Sequence, residues 1–335
     1  MKRPLNFHIL SLASAFTVAL TGCAGTSSDV PPAAQHDVQP PPSRATVGAV
    51  SAASGLYVAD FFGSIYEFAI PKLKLNTQFA STECTKGIKI DRHQSLYMPD
   101  NCGERILVYP KGSTRPSFVY SNNGIYDPAD VAVARNGEVY VSNACCVGSP
   151  TNPTEVLMFH RGVSVPFEAL PVQNGVPQGL ALDEGGNLYV SVQYGQSGDV
   201  YKSIAGTGTL EALGLKGLQY PVGIAFDADG DIVVFDETTS QINIYQPGKK
   251  KPLRTITGIG TGTIGQGGYI AFNSSGSTLY VSTDNSSSRV VEAIDYASGK
   301  VTKVIGDGAD WTPTGVAIGG IRKNQSPSVQ RTRGL

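Results

Sequence analysis

Short apolar stretches of small and β-branched residues recur along the chain in pairs, each pair broken by a turn-forming cluster. In Pro221–Asp236 (PVGIAFDADGDIVVFD), Gly223–Phe226 and Ile232–Phe235 read as two strands. Asp227–Asp231 joins them with residues that tolerate the positive φ of a tight hairpin. The same pattern returns as PQGLALDEGGNLYVS from Pro177, PADVAVARNGEVYVSN from Pro128 and GYIAFNSSGSTLYVST from Gly268. A rougher copy, GIKIDRHQSLYMPD, starts at Gly87, and the second half alone appears as GLYVAD from Gly55. Third strands are expected at Ser64–Phe68, Arg105–Tyr109, Glu155–Phe159, Asp199–Ser203, Gln241–Tyr245 and Val290–Tyr296. Outer strands are expected at Pro116–Tyr120, Lys251–Thr257 and Lys300–Ile305. No window sustains apolar residues at helical spacing, so the expected class is all-β.

Aligned on the second strand, the copies place Tyr57, Tyr97, Tyr140, Tyr189, Val233 and Tyr280 in register, about 40 to 49 residues apart. That is the period of a four-stranded propeller blade. A lone blade cannot bury both faces, so the blades must stack around an axis. The first copy lacks a good opening strand, since Val47–Val50 matches poorly, whereas Pro313–Ile318 is an opening strand with nothing after it. The pattern therefore predicts that Thr314–Ile318 completes the blade begun at Leu56 and closes a six-bladed β-propeller over residues 47–320. If Val47–Val50 is a true strand, a seventh, partial blade arises instead. Residues 321–335 are polar and basic and read as a disordered tail.

The motif Pro-x-Gly-aliphatic-Ala-aliphatic-Asp, turn, aliphatic-Tyr-Val-x-Asp resembles NHL repeats. More loosely, it is similar to the calcium-dependent SMP-30/gluconolactonase propellers. The resemblance covers roughly residues 55–320 and implies a fold, not a reaction. It departs from the lactonase pattern in detail: no early Glu-Gly-Pro is present, and Pro177-Gln178-Gly179 carries Gln where that family's Asn is expected. Only Asp236 or Asp100 matches the family's later Asp ligand.

Composition changes this picture little. Gly and Pro, at 39 and 21 residues, suit many turns. With 16% charged residues and a net charge of −1, no broad electrostatic footprint for nucleic acid exists. The first residues matter more. Lys2 and Arg3 precede an apolar run, Phe7–Leu20, that is too short for a stable span and suited to a signal peptide. It ends Leu20-Thr21-Gly22-Cys23, which resembles the lipobox of bacterial lipoproteins. The resemblance implies cleavage after residue 22, lipidation of Cys23 and a membrane partner held through the acyl chains. Ala24 after the Cys implies outer-membrane sorting if the source is Gram-negative, and in any case an address in the cell envelope. Residues 24–46 are rich in Pro, Ser, Ala and Gln and read as an extended, disordered tether.

Opening strands start, and second strands end, on one face of the ring. The mouth on that face is expected to carry Asp60, Asp100, Asn143, Val192, Asp236 and Thr283, with Gln193 and Asp284 one step further on. Asp60, Asp100, Asn143 and Asp236 offer the oxygen ligands that Ca²⁺ takes, and Ca²⁺ is the one cofactor the sequence suggests. The alternative is that each side chain accepts hydrogen bonds within its own loop, leaving no cofactor at all. Cys84, Cys102, Cys145 and Cys146 lie at the same mouth, and an exported compartment favours their oxidation. Cys84–Cys102 is the expected disulfide. Cross-pairing with Cys145 and Cys146, or a Cys₄ zinc site, stays open. Asp227–Asp231 lacks the later acidic ligand of a calcium loop and reads as a turn. The GxGxxG from Gly260 to Gly265 is followed by a strand, so it reads as an inter-blade loop. Neither Gly-x-Ser-x-Gly nor His-Glu-x-x-His occurs, and His93 and His160 fall at surface positions.

The expectation is a monomeric, lipid-anchored propeller that binds a protein, glycan or small ligand without catalysis. The alternative is a metal-dependent, lactonase-like hydrolase at the channel mouth.

Overall fold

The computed structural model describes residues 54–121, 124–144, 154–173, 175–203, 207–260, 267–285, 288–306 and 311–320. The signal segment with Cys23, the tether, Val47–Val50, Cys145, Cys146 and the tail from residue 321 all lie outside the described residues.

The described strands form six four-stranded sheets, each antiparallel throughout. Blade 2 runs from Lys89–Ile90 at the axis through Leu96–Asp100 and Arg105–Tyr109 to Phe118–Tyr120. Blade 3 has Pro128–Val133, Val139–Asn143, Glu155–Phe159 and Pro166–Pro171. Blade 4 has Val176–Leu182, Leu188–Tyr194, Ser197–Ser203 and Glu211–Ala212. Blade 5 has Pro221–Phe226, Ile232–Asp236, Gln241–Tyr245 and Arg254–Ile256. Blade 6 has Ile270–Phe272, Thr278–Asn285, Ser288–Asp295 and Lys300–Ile305.

Blade 1 is built from both ends of the ring. Ser54–Asp60, Ser64–Ala69 and Lys74–Ala80 supply three strands, and Pro313–Gly320 pairs antiparallel with the first, setting Tyr57 opposite Ala317. The expected closure is therefore present. Each inner strand also touches the next all the way round. Closing the circle removes the edges that an open stack would leave. Two outer strands are shorter than their sequence pattern suggested, Phe118–Tyr120 and Arg254–Ile256. Outer strands pack on one side only, so fewer contacts hold their ends.

Side chains alternate along each second strand, so one strand serves two boundaries. Leu56 and Val58 pack toward blade 6, whereas Tyr57 and Ala59 pack toward blade 2. The buried apolar residues accordingly divide into six clusters, one at each blade boundary. All six are formed by described residues between 54 and 320, inside one compact unit, Ala49–Leu335.

At the axis the Gly of the repeat has a steric reason. A Cβ on Gly179 would lie 2.1 Å from the Val222 carbonyl oxygen of the next blade, and one on Gly315 would lie 2.2 Å from that of Lys86. No side chain fits there. A register shift follows in each of blades 3, 4 and 5, at Pro128/Val131, Pro177/Leu180 and Pro221/Ile224. In blades 3 and 4 a serine of the second strand, Ser142 or Ser191, accepts from the inner-strand amide at that irregularity. Ser191 Oγ accepts from the Gly179 amide at 2.8 Å and donates to the Val222 carbonyl at 2.6 Å, tying blade 4 to blade 5. Ser282 does the same between Tyr269 and Thr314.

Candidate functional site

The four polar side chains assigned to the mouth are all buried, and each is held by hydrogen bonds in its own blade. Asp60 Oδ1 accepts from the Phe62 amide at 3.2 Å and the Thr312 amide at 2.9 Å. Asp100 accepts from the Gly103 amide at 2.9 Å and from Arg105 Nε at 2.7 Å. Asn143 accepts from the Tyr126 amide at 2.5 Å and donates to the Gly124 carbonyl at 3.0 Å. Asp236, fully buried, accepts from the Gln219 and Tyr220 amides at 2.5 and 2.9 Å and from the Thr239 amide and hydroxyl, both at 3.0 Å.

Three of the four thus do one job. The acceptor that ends the second strand caps the amides of the segment leading into the inner strand of its own blade. A carboxylate already accepting two such bonds, as Asp60 and Asp100 do, or four, as Asp236 does, would have to abandon donors to take a cation, and each buried donor left unpaired costs about 1–3 kcal/mol. Thr283 Oγ1 donates to Val290 within its blade at 3.2 Å, and Gln193 Nε2 donates to Gly195 at 2.6 Å. Among the described residues no group of three or more His, Cys, Asp or Glu side chains is placed to hold a metal.

Cys84 and Cys102 are joined in a disulfide, the expected pairing, with their Cα atoms 5.6 Å apart. It ties the approach to the inner strand of blade 2 to the end of its second strand. The Asp227 turn is a hairpin. Its Oδ1 accepts from the Asp229 and Asp231 amides at 3.0 and 2.9 Å, and its Oδ2 accepts from the Tyr296 hydroxyl at 2.7 Å. Asp91 and Asp183 cap their own turns in the same way. His160 stacks on Phe167 with ring centroids 4.2 Å apart. Trp311 packs edge-on against Tyr66 and Phe68 and donates to the Arg289 carbonyl at 2.7 Å.

The groups that do converge come from the inner strands and the segments leading into them. At the mouth, Asp127 pairs with Lys86 at 3.3 Å and accepts a hydrogen bond from Asn101. Tyr220 sits beside this cluster, and burial, reinforced by the charges of Glu237 and Asp127, pushes its phenol up to about 12. Deeper in, Asp130 and Tyr269 occupy the place that Gly87, Gly179, Gly223 and Gly315 hold in the other four blades. Tyr269 is buried and donates to the Ala129 carbonyl at 2.9 Å, and burial drives its phenol far above the ordinary value, helped by Asp130. Asp130 Oδ2 accepts from the Leu180 amide at 2.9 Å and faces Lys89 Nζ at 3.5 Å. A Cβ on Gly87 would meet both Asp130 and the Tyr269 ring. The two departures therefore fill the axis together. Their signal was in the sequence, as PAD and GGY where the repeat has Pro-x-Gly.

No protein-family model matches the chain, and no curated protein matches it. Solved structures do. A chain in the crystal structure of a nidogen/laminin complex superposes with a TM-score of 0.64 at 18% identity, over 79% of this chain and 98% of that one. A protein of unknown function from Bacteroides caccae superposes with a TM-score of 0.61 at 14% identity, over 80% of this chain and 99% of that one. At such identities the likeness is one of fold, and the chain is a six-bladed β-propeller.

Proposed function

We propose that the chain is a cell-envelope protein, anchored through a lipid on Cys23, whose propeller binds a partner at the loop-bearing mouth without catalysis of its own. The observation that carries this reading is the use of Asp60, Asp100, Asn143 and Asp236 inside their own loops. The polar residues that the repeat brings to the mouth spend their hydrogen-bonding capacity on shape, which a rigid binding ring requires. A protein partner fits best, since the similar propeller of the nidogen/laminin structure belongs to a protein complex. The ion pair of Lys86 with Asp127, beside Tyr220, offers a partner both charges and an aromatic face.

Two measurements test it. Cys23→Ser should move the protein from membrane to soluble fractions, and continued membrane retention would defeat the anchor. In protein comprising residues 47–335, Ca²⁺ should leave the melting temperature unchanged. A clear Ca²⁺-dependent rise that Asp236→Ala abolishes would replace this reading with a metal-dependent hydrolase.

A further inference from the structure

The mouth is not the only opening on the axis. On the opposite face, where the hairpin turns lie, the C-terminal halves of all six inner strands line an open cavity of about 390 Å³. That is within the range of small-molecule sites, roughly 300–1,000 Å³. Its wall is aliphatic and aromatic, and Lys89 is the one charged residue among those lining it.

Repeat symmetry makes Lys89 conspicuous. Two residues after the axial Gly position, the other five blades carry Ala132, Ala181, Ala225, Ala271 and Ala317, and all five line the cavity. Architecture asks for a methyl group there, and five blades supply it. The exception in blade 2 meets the exception in blade 3, since Lys89 Nζ lies 3.5 Å from Asp130 Oδ2. Asp130 is 1% exposed, and its Oδ1 has no hydrogen-bond partner. The Lys89 side chain is 26% exposed; its ammonium has three donors, and Asp130 is its single partner among the described residues. No side chain lining the cavity offers it an acceptor. Water reaching the opening can meet these donors, and a carboxylate in its place would make a stronger, charge-assisted hydrogen bond.

We propose that this cavity is a ligand site for a small amphipathic carboxylate. The apolar body lies against the alanine ring and the Phe226 and Phe272 side chains, and the carboxylate accepts hydrogen bonds from the Lys89 ammonium. Asp130, held by the Leu180 amide, keeps that ammonium at the axis. A cation is disfavoured by Lys89, and a purely apolar ligand would leave its donors idle. The site is independent of the mouth on the other face, so its failure leaves the reading of that mouth untouched.

Octanoate is the probe, titrated calorimetrically into protein comprising residues 47–335, with octan-1-ol as the uncharged comparison. One saturable octanoate site is expected, with octan-1-ol binding more weakly. Lys89→Met should weaken octanoate at least about tenfold, the scale of a lost charge-assisted hydrogen bond, and leave octan-1-ol unchanged. If Lys89→Met unfolds because Asp130 loses its partner, Ala225→Phe keeps that pair, fills the cavity and should abolish binding of both probes. Absence of octanoate binding, equal binding by Ala225→Phe, or a Lys89→Met protein that folds and binds octanoate normally would each overturn the proposal.

Discussion

Asp236 and Asp130 show how differently two buried carboxylates can be employed in one ring. Asp236 accepts four hydrogen bonds and belongs to its loop. Asp130 leaves one oxygen unpaired, and burial raises its carboxyl above the usual range while Lys89 and the Leu180 and Val131 amides pull it down. The folded protein therefore holds this proton more tightly than the unfolded chain does. That contribution to stability is absent well above the folded pKa and grows as pH falls through it toward the unfolded value of about 4. Asp130→Asn removes it. Urea unfolding between about pH 4 and about pH 8 should show the stability difference shifting in favour of the wild type at the acid end. A difference that stays flat across that range would contradict the assignment.

At the scale of the strand, the period-2 alternation and turn chemistry made nearly every inner, second and third strand readable beforehand. The second-strand residues that pack on two different neighbours, such as Tyr57 and Val58, are the same residues whose spacing set the period. The inner-strand irregularity was not readable. Nothing local distinguishes Ser191 from any exposed strand serine, yet its hydroxyl joins Gly179 of its own blade to Val222 of the next. Ser191→Ala should cost about 2 kcal/mol in urea unfolding, because a buried amide and a buried carbonyl both lose a partner. It should also speed hydrogen exchange at the Gly179 amide. Unchanged exchange there would mean that the serine is not the link between these blades.

Closure governs the molecule as a whole. Beside the strand pairing that closes the ring, blade 1 meets blade 2 through a backbone approach, with Gly315 against Lys86 and Ile88. An added methyl group would sit 2.2 Å from the Lys86 oxygen and 2.8 Å from the Ile88 nitrogen, and neither is a flexible side-chain end. Gly315→Ala should therefore lower unfolding stability by about 1–3 kcal/mol, the range for overpacking a tight interior. It should do so although Ala is ordinarily the better-ordered residue in the unfolded comparison. A variant as stable as the wild type would show that the ring yields at its seam.

The sequence by itself determined the inner, second and third strands, the period and the joining of the two ends. Each of these follows from alternation, turn residues and the need of a half-buried sheet for a neighbour, all of which are written locally. It also placed Cys84 near Cys102, because both flank one hairpin. It did not determine the outer strands Lys74–Ala80, Pro166–Pro171 and Glu211–Ala212, nor six blades against a partial seventh. What the tertiary structure alone decided is where polar side chains point once strands from different blades meet. The same Asp at the end of a second strand suits a shared metal or its own loop equally well as a pattern, and only the position of the neighbouring amides chooses. Likewise Lys89 and Asp130 are 41 residues apart and become partners only because two inner strands are pressed together at the axis.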